Sequence, residues 1–164
     1  MVLVAIISDT HLPRGRRRLP DACLERLRTA DLILHAGDFV STDALAELET
    51  FGPPVAAVHG NVDSGDVRQR LPETCVVEVG RARIGMVHDA GPARARLGRM
   101  SRRFPDADAV VFGHSHIPLH EEDDDGFQIF NPGSPTDRRR QPHHTMGLAR
   151  AEGGRVRFEH VVLD

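Results

Sequence analysis

Five short apolar segments of this chain each end directly in a cluster of carboxylate, amide or imidazole side chains. The segments are rich in Val, Ile, Leu and Ala, which is typical of buried strands. The polar clusters that follow them occupy residues 8–11, 35–38, 59–63, 88–89 and 113–116. Helical patterns separate the first three segments, so parallel βαβ units are expected, and the carboxyl ends of such strands form the ligand-binding edge of an open sheet. The sequence therefore predicts an α/β fold with these polar groups gathered at one edge.

The order of apolar and turn patterns predicts ten strands and three helices. The strands are predicted at Val2–Ile7, Leu32–His35, 55–58, Thr74–Val79, Ala82–Val87, 109–112, Leu119–Glu122, 127–130, 145–151 and 156–163. The helices are predicted at Asp21–Thr29, from an N-cap at Ser41 through Thr50, and between Pro92 and Arg103. No repeat or linker divides the chain, so residues 1–164 are expected to form one domain.

The composition excludes several other classes of protein. A length of 164 residues suits a domain that needs no disulfide, and Cys23 and Cys75 are expected to be reduced packing residues. The apolar start MVLVAII is short and follows no basic residue, so no signal peptide is expected. No apolar run approaches the roughly 20 residues of a membrane helix, and a cytoplasmic protein is expected. The formal charge of −3 gives no argument for a nucleic-acid polymer as partner.

Seven of the clustered polar side chains are candidate metal ligands. They are Asp9, His11, Asp38, Asn61, His88, His114 and His116. This set offers hard oxygen and borderline nitrogen ligands without a thiolate, which suits Mn, Fe, Zn, Ni or Co. Seven ligands are too many for one ion and fit two ions with a shared ligand. The alternative is that these are ordinary turn residues, because Asp, Asn and Gly favour βα turns for backbone reasons.

The spacing within two of the clusters predicts a local conformation. Asp9 and His11 are two residues apart, as are His114 and His116. In an extended segment this spacing places both side chains of a pair on the same side of the chain. We therefore expect each pair to point into the site from an extended segment.

Taken in order, the motifs resemble the signature of the calcineurin-like metallophosphoesterase superfamily. The matching motifs are Asp9-x-His11, Gly37-Asp38, Gly60-Asn61, His88 and Gly113-His114-x-His116. The short chain, a Gly-Asn-x-Asp motif ending at Asp63, and the sequence Asn131-Pro132-Gly133-Ser134 resemble its small YfcE-like phosphodiesterase branch. The resemblance implies an α/β/β/α sandwich of two mixed sheets flanked by helices, with a binuclear metal centre on one edge.

The resemblance also implies a role for each candidate residue. Asp9, His11 and His116 are expected to hold one divalent ion, and Asn61, His88 and His114 the other, with Asp38 as the bridge. Mn²⁺ is the expected metal, with Ni, Fe, Zn and Co as alternatives. Asn61 and Asp63 are expected to take part in catalysis, Asn61 by stabilising charge on the phosphate and Asp63 by orienting its neighbours.

Several further residues near the clusters have two open interpretations. His35 and His59 could donate a proton or be core residues, and the arginine-rich loops at 13–18 and 138–140 could steer anions or simply be solvated. Val62 occupies a position where many members of the family have histidine, which argues against strong phosphomonoesterase or nuclease activity. Asp89 occupies a position where glycine is expected after His88.

The function predicted from these residues is a metal-dependent phosphodiesterase acting on small phosphodiesters. The first alternative is a non-catalytic protein-binding scaffold, since a retromer subunit with this fold serves in that way. The second is a nuclease or phosphomonoesterase. A homo-oligomer is compatible with the sequence, whereas a membrane partner is not expected.

Overall fold

The computed structural model describes residues 1–164, which form ten strands and four helices. The strands are β1 (Val2–Ile7), β2 (Leu32–His35), β3 (Val55–Ala57), β4 (Thr74–Val79), β5 (Ala82–Val87), β6 (Ala109–Val111), β7 (Leu119–Glu122), β8 (Gln128–Asn131), β9 (Thr145–Glu152) and β10 (Arg155–Val162). The helices are α1 (Asp21–Thr29), α2 (Thr42–Glu49), α3 (Gly65–Arg70) and α4 (Arg96–Arg103). None of the helices is long and apolar enough to cross a membrane.

The strands form two mixed five-stranded sheets. The first has the order β10-β9-β1-β2-β3, with β1, β2 and β3 parallel to one another. The second has the order β4-β5-β6-β8-β7, with β5, β6 and β8 parallel. The polar clusters therefore follow strands of two sheets, whereas a single open sheet would have been enough to explain the sequence pattern.

Successive side chains of β1 point to opposite faces of the first sheet, which explains how the layers of the molecule pack. Val4 and Ile6 pack in the core between the two sheets, whereas Ala5 and Ile7 pack with Leu27 of α1 on the outer face. Fully burying a large aliphatic side chain stabilises a fold by roughly 1.5–3 kcal/mol, so this two-sided core makes β1 a rigid support for the loop that follows it. A third cluster packs α4 against the outer face of the second sheet. The predicted α/β/β/α sandwich is confirmed.

Helix α3 is the one element that the sequence pattern does not predict. Its six residues, GDVRQR, include a single buried apolar residue, Val67, so no helical periodicity is detectable. The Ser64 hydroxyl caps it by accepting a hydrogen bond from the Val67 N–H. This short helix directly follows the Asn61 loop.

Candidate metal centre

The loops after β1, β2 and β6 carry candidate ligands in left-handed backbone conformations. The φ angles are 56° at Asp9, 48° at His11, 65° at Asp38, 71° at His114 and 61° at His116. The predicted extended segments are therefore wrong, because both members of each His-containing pair have positive φ. Such conformations cost of order 1–3 kcal/mol each and persist only where the surrounding structure enforces them, most often at functional sites.

Three buried side chains form a first group of candidate ligands. Asp9 and His11 follow β1, and His116 follows β6 on the opposite sheet. One ligand atom of each lies within 4.8 Å of the others. The His116 Nε2 is 3.6 Å from the Asp9 Oδ1, and all three residues are at most 4 % exposed. The structure thus brings together the three residues that the resemblance assigns to one ion.

Asp38 lies between this group and a second one. Asp38 Oδ2 is 3.6 Å from His11 Nε2 and 3.2 Å from His88 Nε2. This position fits the bridging role expected for Asp38. Asp9 also reaches the second group, since its Oδ1 is 3.8 Å from His88 Nε2 and a ligand atom of each of Asp9, Asp38 and His88 lies within 4.8 Å of the others. The contact of a second carboxylate with both groups is not predictable from the sequence pattern.

Asn61 and His114 complete the site on its open side. The Asn61 Oδ1 is 3.0 Å from the His88 Nε2 and 3.1 Å from the His114 Nδ1. Both Asn61 and His114 are exposed, unlike the other five candidates. The seven predicted side chains therefore converge, with the buried groups at the base and the amide at the mouth. The Asp89 Oδ2 lies 3.9 Å from the His114 Nε2.

Buried imidazole nitrogens in the site lack hydrogen-bond partners, which tests whether a cation fits. Both ring nitrogens of His11 and the Nε2 of His116 are buried without a partner. The Nδ1 of His116 faces the Asp137 carbonyl and that of His88 faces the Ala36 carbonyl, so in the neutral rings these nitrogens donate and each Nε2 lone pair faces the carboxylates. A ring held in this way is typical of a metal ligand. Since unpartnered buried polar atoms are costly, the donor set fits divalent cations.

The pKa shifts of the buried candidate ligands are also consistent with a bound cation. Burial raises the pKa of Asp9 from 3.8 to about 7 and lowers the pKa of His116 from 6.5 to about 4. Both shifts oppose the charged form, because a carboxylate or an imidazolium is poorly solvated there. Burial also opposes charge at His88, but hydrogen bonding and charge from Asp38 outweigh it and raise the pKa of His88. A bound cation would favour the ionised state of Asp9, whereas contacts with His88 already lower the pKa of Asp38 against the effect of burial.

Asp63 joins the Asp38 loop to the Asn61 loop. Its Oδ2 accepts hydrogen bonds from the N–H groups of Asp38 and Gly60 at 3.0 and 2.6 Å. Its Oδ1 accepts one from the Val40 N–H at 2.8 Å. The side chain is 6 % exposed. These contacts place Asp63 behind the candidate ligands, where it fixes the backbone that carries them.

Gly60 and Gly113 let the loops approach one another. A Cβ added at Gly60 would lie 2.1 Å from the Asp38 Oδ1, and one added at Gly113 would lie 2.0 Å from the Ser8 Oγ and 2.7 Å from the Asp9 Oδ2. No side chain fits at these distances. These two glycines are therefore required by close approach to the carboxylates.

Several residues that support the site were not identified from the sequence. Arg68 on α3 donates from its Nη2 to the Asn61 carbonyl at 3.0 Å and from its Nε to the Asp63 carbonyl at 3.2 Å. Ser134 donates from its Oγ to the Asp9 carbonyl at 2.8 Å, and Thr136 from its Oγ1 to the Thr10 carbonyl at 2.6 Å. The Asn-Pro-Gly-Ser motif signals Ser134, but no pattern signals Arg68.

The structure assigns His35 to the core rather than to proton transfer. Its Nδ1 accepts the Gly37 N–H at 3.1 Å, so its Nε2 donates to the Thr10 Oγ1 at 3.0 Å. The ring stacks on Phe39 with 3.6 Å between centroids, and burial lowers its pKa to about 3. His35 thus ties the end of β1 to the end of β2 as a neutral ring.

Comparisons with known proteins agree on one family for this chain. Residues 2–154 match the family model of the calcineurin-like phosphoesterase superfamily domain. A probable metallophosphoesterase of Methanothermobacter thermautotrophicus is 37% identical over 139 residues, which cover 82% of this chain and 78% of that protein. A phosphodiesterase of Methanocaldococcus jannaschii is 27% identical over 143 residues, which cover 79% and 82%.

A solved structure agrees over nearly the whole chain. Vps29 of Entamoeba histolytica, in complex with Zn²⁺, has a TM-score of 0.76 and 27% identity, and the match covers 99% of both chains. The fold, the order of the motifs and the family match therefore agree. This chain belongs to the calcineurin-like phosphoesterase superfamily.

Proposed function

We propose that this protein is a phosphodiesterase that hydrolyses small phosphodiesters at a centre of two divalent metal ions. The observation that carries the proposal is the convergence of seven ligand-type side chains from five loops, with unpartnered imidazole nitrogens at His11 and His116. A relative named a phosphodiesterase supports the choice of reaction.

The ligands are proposed to divide between the two ions as the family resemblance implies. Asp9, His11 and His116 would hold one ion, and Asn61, His88 and His114 the other. Asp38 would contact both, and Mn²⁺ is the proposed metal, with Ni, Fe, Zn and Co as alternatives. When bound, such a pair of ions neutralises charge on a phosphoryl group and lowers the pKa of water beside it.

The residues at the mouth of the site would act on the substrate directly. Asn61 is exposed there, and its amide N–H group is proposed to donate a hydrogen bond to a non-bridging phosphate oxygen. Its neighbour Val62 donates its backbone N–H to the Asp38 Oδ1 at 3.0 Å and exposes 43 % of its surface. An aliphatic side chain at this place cannot protonate a leaving group, which favours diesters over monoesters with poor leaving groups.

Turnover of a chromogenic diester tests this proposal. We expect purified protein loaded with Mn²⁺ to hydrolyse bis(p-nitrophenyl) phosphate, with activity abolished by a chelator and restored by adding Mn²⁺. Activity should depend on metal because the proposed ions would neutralise charge on the phosphate, which the carboxylates alone would repel. If metal-loaded protein shows no turnover above buffer on any diester, the proposal fails and the scaffold alternative replaces it.

Introducing an acid at position 62 tests the part played by Val62. We expect Val62→His to raise kcat/KM for phenyl phosphate by at least about tenfold, because a positioned general acid contributes roughly 10²–10⁴-fold when the leaving group needs a proton. The matched control is Val62→Gln, which is polar but cannot donate as an acid. An equal gain in kcat/KM for both variants would contradict the explanation that the introduced histidine donates a proton to the leaving group.

A further inference from the structure

Two arginines from different loops lie beside the first group of candidate ligands. Arg17, between β1 and α1, places its Nη2 3.1 Å from the Asp137 Oδ2. Arg139 directs its Nη1 to the His114 carbonyl at 3.5 Å. Asp137 connects Arg17 to the first group, since its Oδ2 also lies 4.0 Å from the His116 Nδ1. The two cations therefore lie beside the loop that carries His114 and His116.

Both arginines retain hydrogen-bonding capacity. A guanidinium carries five N–H donors. The side chain of Arg17 is 30 % exposed, and that of Arg139 is exposed. The Asp137 carboxylate offsets the charge of Arg17, and the main-chain carbonyl of Asp137 faces the His116 Nδ1. The pair thus presents unused donors and a net positive charge.

The loop that carries Arg139 is fixed to the loop that carries Asp9. Ser134 and Thr136 bond to the carbonyls of Asp9 and Thr10, and Arg139 has a φ of 50°. The guanidinium of Arg139 is therefore presented from an anchored backbone rather than from a free loop. Groups held in this way bind a ligand with a smaller loss of conformational entropy.

We propose that Arg17 and Arg139 form a binding subsite for a second phosphate of the substrate, which makes the preferred substrate a small diester with a terminal phosphate monoester. The inference rests on the proposed phosphodiesterase function and names its substrate class. Guanidinium groups suit this ligand because their planar fork matches phosphate oxygens in a bidentate manner. The scissile phosphate would bind at the candidate metal ligands, and the second phosphate would lie beside Asp137 and the His114 carbonyl.

Two substrates with the same scissile bond test the subsite. They are the p-nitrophenyl ester of thymidine 5′-phosphate and the same diester carrying a 3′-phosphate. We expect kcat/KM to be about 10- to 100-fold higher for the phosphorylated diester, because hydrogen bonds between a guanidinium and a phosphate are charge-assisted and strong. Arg139→Gln should lower this ratio about tenfold, and the double variant Arg17→Gln/Arg139→Gln should bring it close to one.

Arg140→Gln is the matched control, since Arg140 is an exposed neighbour in the same loop. Its substrate ratio should stay within about twofold of the wild-type ratio. A wild-type ratio near one, or an equal loss in Arg140→Gln, would overturn the subsite. A preference for a 3′-linked oligonucleotide over the terminal phosphate would also overturn it, in favour of a nucleic-acid polymer.

Equilibrium binding separates this inference from the proposed reaction. Calorimetry with Mn²⁺-loaded protein should give at least a tenfold lower Kd for thymidine 3′,5′-bisphosphate than for thymidine 5′-monophosphate, and Arg139→Gln should remove most of that difference. Tight, Arg139-dependent binding without turnover would leave the subsite standing and refute the phosphodiesterase. Equal affinity for the two nucleotides would refute the subsite even where diesters are hydrolysed.

Discussion

Replacing Asp38 by Ala is expected to lower diesterase kcat by about 10³-fold or more. Asp38 Oδ2 lies within 3.6 Å of both His11 and His88, so its loss removes the carboxylate proposed to hold the two ions together. Metal-ion catalysis supplies several kcal/mol of transition-state stabilisation, and each 1.36 kcal/mol corresponds to about tenfold in rate. The measurements are kcat with bis(p-nitrophenyl) phosphate and metal content after dialysis.

The thermal stability of the same variant distinguishes a lost ligand from a damaged fold. Ligands that bind only the native state raise Tm, so Mn²⁺ should raise the Tm of the wild-type protein but not that of Asp38→Ala. The matched control is Asp124→Ala, an exposed carboxylate in the turn between β7 and β8, which should keep activity and metal response. An Asp38→Ala protein that retains both ions and near-normal kcat would refute the bridging role.

Replacing Asp63 by Ala is expected to lower the free energy of unfolding by about 3–5 kcal/mol and to abolish activity. The carboxylate accepts three backbone N–H groups, from Asp38, Val40 and Gly60, and each buried donor left without a partner costs roughly 1–3 kcal/mol. The loss of activity follows because the Asp38 and Asn61 loops are no longer held together. Urea denaturation of the metal-free protein measures the stability, which makes the result independent of metal binding.

Two further variants sharpen this test. Asp66→Ala, an exposed carboxylate in the first turn of α3, is the matched control and should change stability by less than about 0.5 kcal/mol. Asp63→Asn keeps one acceptor oxygen, so its free energy of unfolding should lie between those of Asp63→Ala and the wild type. If Asp63→Ala were as stable as the wild type and had lost only activity, a direct catalytic role for Asp63 would replace the positioning role.

The regular elements were predictable because local patterns determine them. The bounds of β1, α1 and β5, for example, agree with the predicted ones, since each is an apolar or amphipathic run between clear turn residues. Helix α3 was missed because one buried valine in six residues produces no periodicity. The order of strands and helices along the chain also does not show whether the strands form one sheet or two facing sheets. The resemblance to the family supplied that part of the fold.

The candidate ligands were predictable as a set, but their arrangement was not. The carboxylate of Asp9 reaches His88 because strands of two sheets end at the same edge, and this depends on packing across the sandwich. The left-handed conformations at Asp9 and His116 were also missed, because Asp and His adopt positive φ more often than most residues but still in a minority of cases. Arg68 acts through carbonyl groups seven and five residues away, at Asn61 and Asp63, on a helix without a sequence signal.

Anomalous diffraction from crystals of the Mn²⁺-loaded protein tests the central proposal most directly. We predict two peaks about 3.5–4 Å apart. One peak should lie among Asp9, His11 and His116, and the other among Asn61, His88 and His114, with Asp38 in contact with both. A single peak, or peaks away from these seven side chains, would contradict the binuclear centre.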